Sequence, residues 1–221
     1  MKFQQARERV IETCITLADK GYLAGTGGNV ALRADPNHFL ITPSAVDYYA
    51  MGAEDICVMR LTDRSQVEGE LNASVEAGLH ARVLIARPDC DASIHTHQPI
   101  ASAYTLLAIP LELQDAITAD LLGNQVPCVS YAPSGTAWLA KRVGQAFEGQ
   151  SHACLMRNHG VVCVGKNEQQ AIERIAALEA ACAAFFEGEL TESSGLPAAT
   201  RTLIGKTLMS NIRSAGQGST T

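Results

Sequence analysis

Basic clusters are missing from this chain: nothing exceeds an isolated pair such as Lys141-Arg142, and 17 Lys and Arg face 23 Asp and Glu for a net charge of −6. Nucleic-acid binding rests on clustered cations, so that class of partner is not expected. Apolar runs approaching the roughly 18 residues of a membrane span are absent too, and the first residues, MKFQQARERV, are too charged for the apolar centre of a secretion signal. The seven cysteines are odd in number and never form C-x-x-C. Lying mostly in apolar stretches, Cys14, Cys57, Cys90, Cys128, Cys154, Cys163 and Cys182 read as buried reduced thiols rather than a disulfide or thiolate-metal framework. Internal repeats of solenoid period are lacking. These absences describe a soluble, cytoplasmic protein with neither a membrane nor a nucleic-acid partner.

What is present is material for a core. With 221 residues, 47% of them hydrophobic and 18% charged, the chain suits one globular domain. We place that domain at residues 1–190, followed by a tail at 191–221 where Ser, Gly and Thr accumulate. Within the tail only residues 201–209 carry a weak helical pattern, and the last dozen residues are expected to be mobile.

Ala6, Val10, Cys14, Leu17 and Ala18 recur at helical spacing before Gly21, which predicts a helix over 4–20. Residues 30–33 and 39–42 flank the turn Asp35-Pro36-Asn37 as a hairpin, and further strands are predicted at 56–61 and 67–70. Ser74 reads as the N-cap of a helix with Glu76 in its first turn, ending at Arg87-Pro88-Asp89. Strands follow at 90–97 and 126–131, then a helix over 134–147. A strand pair at 153–156 and 161–164 and a long helix over 168–187 complete the pattern. Helices and strands mix without strict alternation, so the expected class is α/β, layered, with a mixed or mainly antiparallel sheet.

Two features carry chemistry. His95-Thr96-His97 lies on a predicted strand, where residues two apart share a face and two imidazoles can converge on one ion. The turn Asn158-His159-Gly160 offers a third histidine at a strand end. Three neutral imidazoles with an open position is the pattern of a catalytic zinc site. Glu76 is either a fourth ligand, a base beside a metal-bound carbonyl, or a partner of the helix dipole. The second feature, Gly25-Thr26-Gly27-Gly28-Asn29, exposes backbone N–H groups suited to an anion, although a plain helix-to-strand turn would be written alike. Thr42-Pro43-Ser44 and Ser74 add hydroxyls. His38, His80 and His152 have no spacing partner and read as surface or structural residues.

The order of these pieces is more specific than any one of them. Gly25-Thr26-Gly27-Gly28-Asn29-Val30, Leu40-Ile41-Thr42-Pro43-Ser44, Ser74-x-Glu76-x-x-x-His80, Arg87-Pro88-Asp89 leading to Ile94-His95-Thr96-His97, and Asn158-His159-Gly160 together resemble the class II aldolase/adducin family across residues 5–187. The resemblance implies a three-layer α/β/α fold around a central mixed, mainly antiparallel sheet, assembled as a homotetramer. It also implies zinc, or another divalent cation such as Mn2+ or Co2+, on His95, His97 and His159, with Glu76 as the acid/base. Gly28, Asn29, Ser44 and Ser74 would receive the anionic end of a small-molecule substrate, a sugar phosphate or sugar acid. The implied activity is aldol cleavage or condensation of a small ketose through a metal-stabilised enediolate, with decarboxylation or dehydration of a related hydroxy-carbonyl acid as the alternative and a non-catalytic adducin-like scaffold as a third reading. Against the family pattern, Ser44-Ala45 stands for a Thr/Ser-Gly pair and Ser74-Val75 for two hydroxyl residues. A family tyrosine has no counterpart in Leu111-Glu112-Leu113-Gln114-Asp115.

Overall fold

In the computed structural model the described residues are 1–23, 25–113, 115–149, 151–192, 197–203 and 205–206. Helix α1 (Gln4–Asp19) leads into the hairpin β1 (Asn29–Arg33) and β2 (His38–Ile41), then β3 (Cys57–Arg60) and β4 (Gln66–Glu68). Helix α2 (Ala77–Ala86) and strand β5 (Ala92–Thr96) follow, then α3 (Pro99–Tyr104), a single 3-10 turn, β6 (Leu111–Glu112), α4 (Ala116–Leu122), β7 (Gln125–Val126) and β8 (Cys128–Val129). The chain continues through α5 (Ala137–Glu148), β9 (Ala153–Met156), β10 (Gly160–Gly165) and α6 (Glu168–Glu192).

Eight strands form one sheet in the order β4-β3-β2-β1-β5-β10-β9-β8, while β6 and β7 make a small separate pair. Every neighbour in the large sheet is antiparallel except β8 beside β9, so the sheet is mixed. Its pleat divides the core. Val30, Leu32, Leu40, Val161 and Cys163 face α1, α3 and α6 together with Val10, Leu17, Ile100 and Ile175. Ala31, Phe39 and Ile41 on β1 and β2, and Val162 and Val164 on β10, point the other way onto α2 and α5, against Ala81, Val83, Val143 and Phe147. These are the three layers expected, and the period of two along each strand produces them. Because β5 and β10 are covered on both faces, they are buried along their whole length.

Several boundaries differ from expectation for local reasons. The N-cap of α2 is Glu76 rather than Ser74, whose hydroxyl instead accepts from the Glu76 N–H at 3.3 Å. Helix α5 starts at Ala137, because Thr136 caps it by accepting from Leu139 N, and Ser134-Gly135 forms the preceding turn. The predicted strand 126–131 is split at Pro127, which has no N–H to give a ladder, so β7 and β8 join different sheets. Helix α6 runs to Glu192, past its predicted end. In the tail, residues 198–203 are helical, while residues 193–196 and 207–221, including the end of the predicted helix and the last dozen residues, lie outside the described residues. All seven cysteines are free, six of them buried, and burial pushes the thiols of Cys14, Cys154 and Cys182 well above their ordinary range.

Candidate metal centre and active site

The sheet brings His95 to the end of β5, with its ring on the α2–α5 face. His97 comes just after the strand, where its backbone N–H donates to Tyr22 O. Across β10, the turn into that strand holds Asn158 at φ 55°, a left-handed conformation that asparagine tolerates, and this presents His159 beside the other two rings. The ring centroids are 4.6, 4.8 and 5.3 Å apart, and three ring nitrogens, one from each histidine, lie within 4.8 Å of one another. Gly160 is required by this packing: a Cβ there would sit 2.6 Å from Thr96 O, 2.7 Å from His97 Cδ2 and 2.9 Å from His95 Cε1.

The donor set fits a divalent ion. His95 Nδ1 lies 2.8 Å from Val161 O, a group that only accepts, so Nδ1 carries the proton and the Nε2 lone pair is directed at the cluster. His95 Nε2 and His97 Nε2 face each other at 2.8 Å, an approach that suits two nitrogens sharing a cation. Burial pushes the His95 imidazolium down to about 3, and burial with the neighbouring His159 lowers His97 as well. Both rings are therefore neutral near pH 7, which is the ligating form.

Glu76 closes the site on the side of α2. Its Oε2 is 3.4 Å from His95 Nε2, and its Oε1 is 3.4 Å from His159 Nε2. Asn29 Nδ2 donates to Oε2 at 2.9 Å and Ser134 Oγ donates to Oε1 at 2.8 Å. Burial opposes ionisation of Glu76, yet the His95 ring, the Asn29 amide, the His159 ring and the Ser134 hydroxyl together hold its carboxyl well below the usual carboxylate range. It is a carboxylate at neutral pH.

Behind Asn29 stands His80, fully buried. Ser93 Oγ is 2.7 Å from its Nδ1, and its Nε2 is 2.5 Å from Asn29 Oδ1. An amide oxygen only accepts, so His80 donates through Nε2 and accepts at Nδ1, and the Asn29 amide is thereby turned with its N–H toward Glu76. A chain of hydrogen bonds thus runs from Ser93 through His80 and Asn29 to Glu76.

A cavity of about 280 Å³ lies over the cluster, and all eight residues singled out in the sequence line it: Gly28, Asn29, Ser44, Ser74, Glu76, His95, His97 and His159. Gly28 adopts φ +92°, and a Cβ there would meet Leu23 Cδ2 at 2.5 Å and His95 O at 2.7 Å, so the loop presses against β5. Tyr48 OH donates to the carbonyls of Gly27 and Gly28 at 3.1 and 2.8 Å and braces that loop. Ser44 and Ser74 stand on two segments joined by a bridge between Pro43 and Ala73. Ala45, in the place of a family glycine, takes φ 57°, and Val75 is 67% exposed beside the cavity.

Sequence reasoning missed Ser134, Tyr48 and the part played by His80. Ser134 was expected inside a helix, although Pro133-Ser134-Gly135 is also a turn pattern. His80 is the satisfied structural histidine expected, but what it satisfies is Asn29. Of the residues following the helix 3-10 turn, Asp115 caps α4 by accepting from Thr118 N at 2.8 Å and is not part of the cavity, and Gln114 lies outside the described residues.

Comparison with known proteins places this geometry in context. The chain is 31% identical to the L-fuculose phosphate aldolase of Methanococcus maripaludis over 169 residues, 76% of this chain and 89% of that one. It is 30% identical to the 5-deoxy-D-ribulose 1-phosphate aldolase of Bacillus thuringiensis over 200 residues, covering 89% and 90%. Among solved structures, an L-fuculose 1-phosphate aldolase superposes with a TM-score of 0.82 at 28% identity, over 95% of this chain and 98% of that one. The fuculose-1-phosphate aldolase of Thermus thermophilus superposes at 0.73 with 26% identity, over 87% and 100%. The model of the class II aldolase and adducin N-terminal domain matches residues 8–186, and with these relatives and this fold the chain belongs to that family.

Proposed function

We propose that this protein is an aldolase-type lyase that depends on a divalent metal and acts on a small ketose bearing a phosphate. The observation that carries the reading is the convergence of three histidines, one ionised glutamate and a hydroxyl- and glycine-lined recess in a single cavity. His95, His97 and His159 would hold the ion, zinc or a similar cation. When bound there, such an ion supplies Lewis-acid chemistry toward the carbonyl and hydroxyl oxygens of a ketose.

The chain's own residues do the rest. Glu76 removes the proton that must leave for the bond to form or break, and returns it in the reverse direction. Asn29 and Ser134 each hold one of its oxygens, which keeps the carboxylate ionised and aimed at the histidine side of the cavity. Gly28, Asn29, Ser44 and Ser74 receive the anionic end of the substrate, so that the reacting carbon is positioned beside Glu76. Val75 and Ala45 favour a second reading, decarboxylation or dehydration of a hydroxy-carbonyl acid, because Val75 takes away a hydroxyl donor to a phosphate and the Ala45 methyl adds bulk beside the recess. The reduced cysteines support a cytoplasmic location, and the family supports a homotetramer; light scattering on the purified chain tests the latter.

The test is deuterium incorporation into dihydroxyacetone phosphate in heavy water, followed by NMR with the zinc-loaded protein. Exchange is expected from the wild type and should fall by about 10²-fold or more in Glu76→Gln with zinc retained, and in His159→Ala with zinc lost. A zinc-loaded wild type that exchanges no deuterium overturns the dihydroxyacetone-phosphate reading and leaves the acid substrates.

A further inference from the structure

A second cavity, of about 340 Å³, lies on the far side of the Val75–Glu76 wall, between the N-terminal ends of α2 and α5. Arg64, Arg82, Val75, Gly135, Thr136 and Ala137 are among the residues that line it. The two arginines set it apart. Arg7, Arg9, Arg33, Arg60 and Arg87 are each paired with a carboxylate, and Arg142 and Arg174 are spent on backbone carbonyls, while Arg157, also without an ion pair among the described residues, lines neither cavity. Arg64 and Arg82 have no carboxylate within ion-pair distance among the described residues.

The surroundings do not neutralise them either. Asp63, next to Arg64, is committed to Arg60 and Ser65, and Glu76 shows this cavity its back while its carboxylate faces the histidines. Arg64 projects from the β3–β4 turn in a left-handed conformation, φ 63°, and its Cδ lies over Gly78 at the start of α2. Arg82 packs across Gly144, where a Cβ would come within 3.0 Å of the Arg82 Cβ, and its Nε is shielded from solvent without any hydrogen-bond partner. That covered N–H cannot itself meet an anion in the cavity; the outer guanidinium nitrogens of Arg82, which make no hydrogen bond to a described residue, are the donors an anion there would meet. The first N–H groups of α5 add positive potential from the same side.

We propose that this cavity is an anion site distinct from the metal-site cavity, taking a phosphate or carboxylate group of a small molecule through Arg64 and Arg82. In a chain of net charge −6 a concave pair of uncommitted guanidinium groups is a selective feature, and their planar donor forks match a tetrahedral or planar oxyanion. The anion is either the far end of a doubly anionic substrate or a separate small molecule. The first alternative rests on the lyase reading above, whereas the site itself does not.

Inorganic phosphate is the probe, titrated into the zinc-loaded full chain. Binding is read as heat by isothermal titration calorimetry, since Trp138, the single tryptophan, is 71% exposed and does not line this cavity. A saturable change is expected in the wild type and in Ser74→Ala, with affinity weakened by roughly tenfold or more in Arg64→Ala, whose side chain is exposed, and further in Arg64→Ala/Arg82→Gln. If the anion is part of the substrate, Arg64→Ala raises KM for a doubly anionic ketose and not for a singly anionic one. If it is a separate molecule, the phosphate response persists under saturating substrate with KM unchanged in the variant. An identical phosphate titration in wild type and double variant, or a response abolished by Ser74→Ala, overturns the proposal whether or not the chain is a lyase.

Discussion

At Ala45 and His80, single side chains sit under constraints that can be measured. Ala45 occupies the left-handed region, where an L side chain costs about 1–2 kcal/mol and glycine nothing, partly offset by the greater freedom glycine gives the unfolded chain. Ala45→Gly should therefore stabilise the protein by roughly 0.5 kcal/mol in urea denaturation; a loss of stability would show that the alanine methyl makes contacts that outweigh the strain. His80 is read through its neighbours. His80→Leu leaves Asn29 Oδ1 and Ser93 Oγ without their buried partner, a penalty of about 1–3 kcal/mol each. Turnover should fall about tenfold or more with zinc content unchanged, and His80→Gln, which retains a donor for Asn29, should recover part of it. Equal losses in the two variants would mean that His80 only fills space. At this scale the three histidines and Glu76 were legible because they fall within an ordered series of short motifs. Ser134 and Tyr48 were not, since a hydroxyl that meets a carboxylate 58 residues away, or a phenol that meets two loop carbonyls some 20 residues back, leaves no local trace in the sequence.

The elements were legible where their period was strong. The hairpin β1–β2 and strands β9 and β10 follow instead from short apolar runs set on either side of turn residues. Residues 98–125 escaped because their elements, α3, β6, α4 and β7, are too short to establish a period and are held by tertiary partners instead. A clear case is α3, whose first N–H groups, at Ile100 and Ala101, donate to the carboxylate of Glu179 on α6 at 2.8 Å each. Glu179→Ala should thus loosen α3 specifically, seen as faster amide exchange over residues 99–104 and a loss of about 1–2 kcal/mol; unchanged exchange there would assign the cap no role. The packing of α2 on β5 has a pH signature. Burial pushes the His80 imidazolium down to about 4, against an ordinary value near 6.5. Above about pH 6.5 the ring is neutral in both states and contributes no slope. As pH falls from 6.5 toward 4 the unfolded chain binds the proton first, so stability drops by up to roughly 3 kcal/mol. Urea denaturation across that range should show this decline in the wild type and a shallower one in His80→Gln.

For the whole molecule, fold class, layer order and family were all readable, because three layers need only alternating strands and amphipathic helices in sequence. The two cavities were not, since each is walled by residues from separate segments that only the closed sheet brings together. Stability and metal should be coupled: an ion bound to the folded chain alone adds about 2.7 kcal/mol at a hundredfold excess over its Kd. A chelator should then lower the Tm of the wild type and leave that of His159→Ala unmoved, and an equal shift in both would place the ion elsewhere. The position of β5 in the sheet carries a consequence for how the protein is made. His95 pairs on one side with Asn29 and on the other with Val162, so the strand that holds it is closed by partners from opposite ends of the domain. Such distant pairings are slow to form. A ribosome-bound chain still lacking β10 has neither His159 nor the strand that orients His95, and it has no centre to load. Capture of an ion by the three histidines would therefore be a late event, one that slows unfolding without hastening folding.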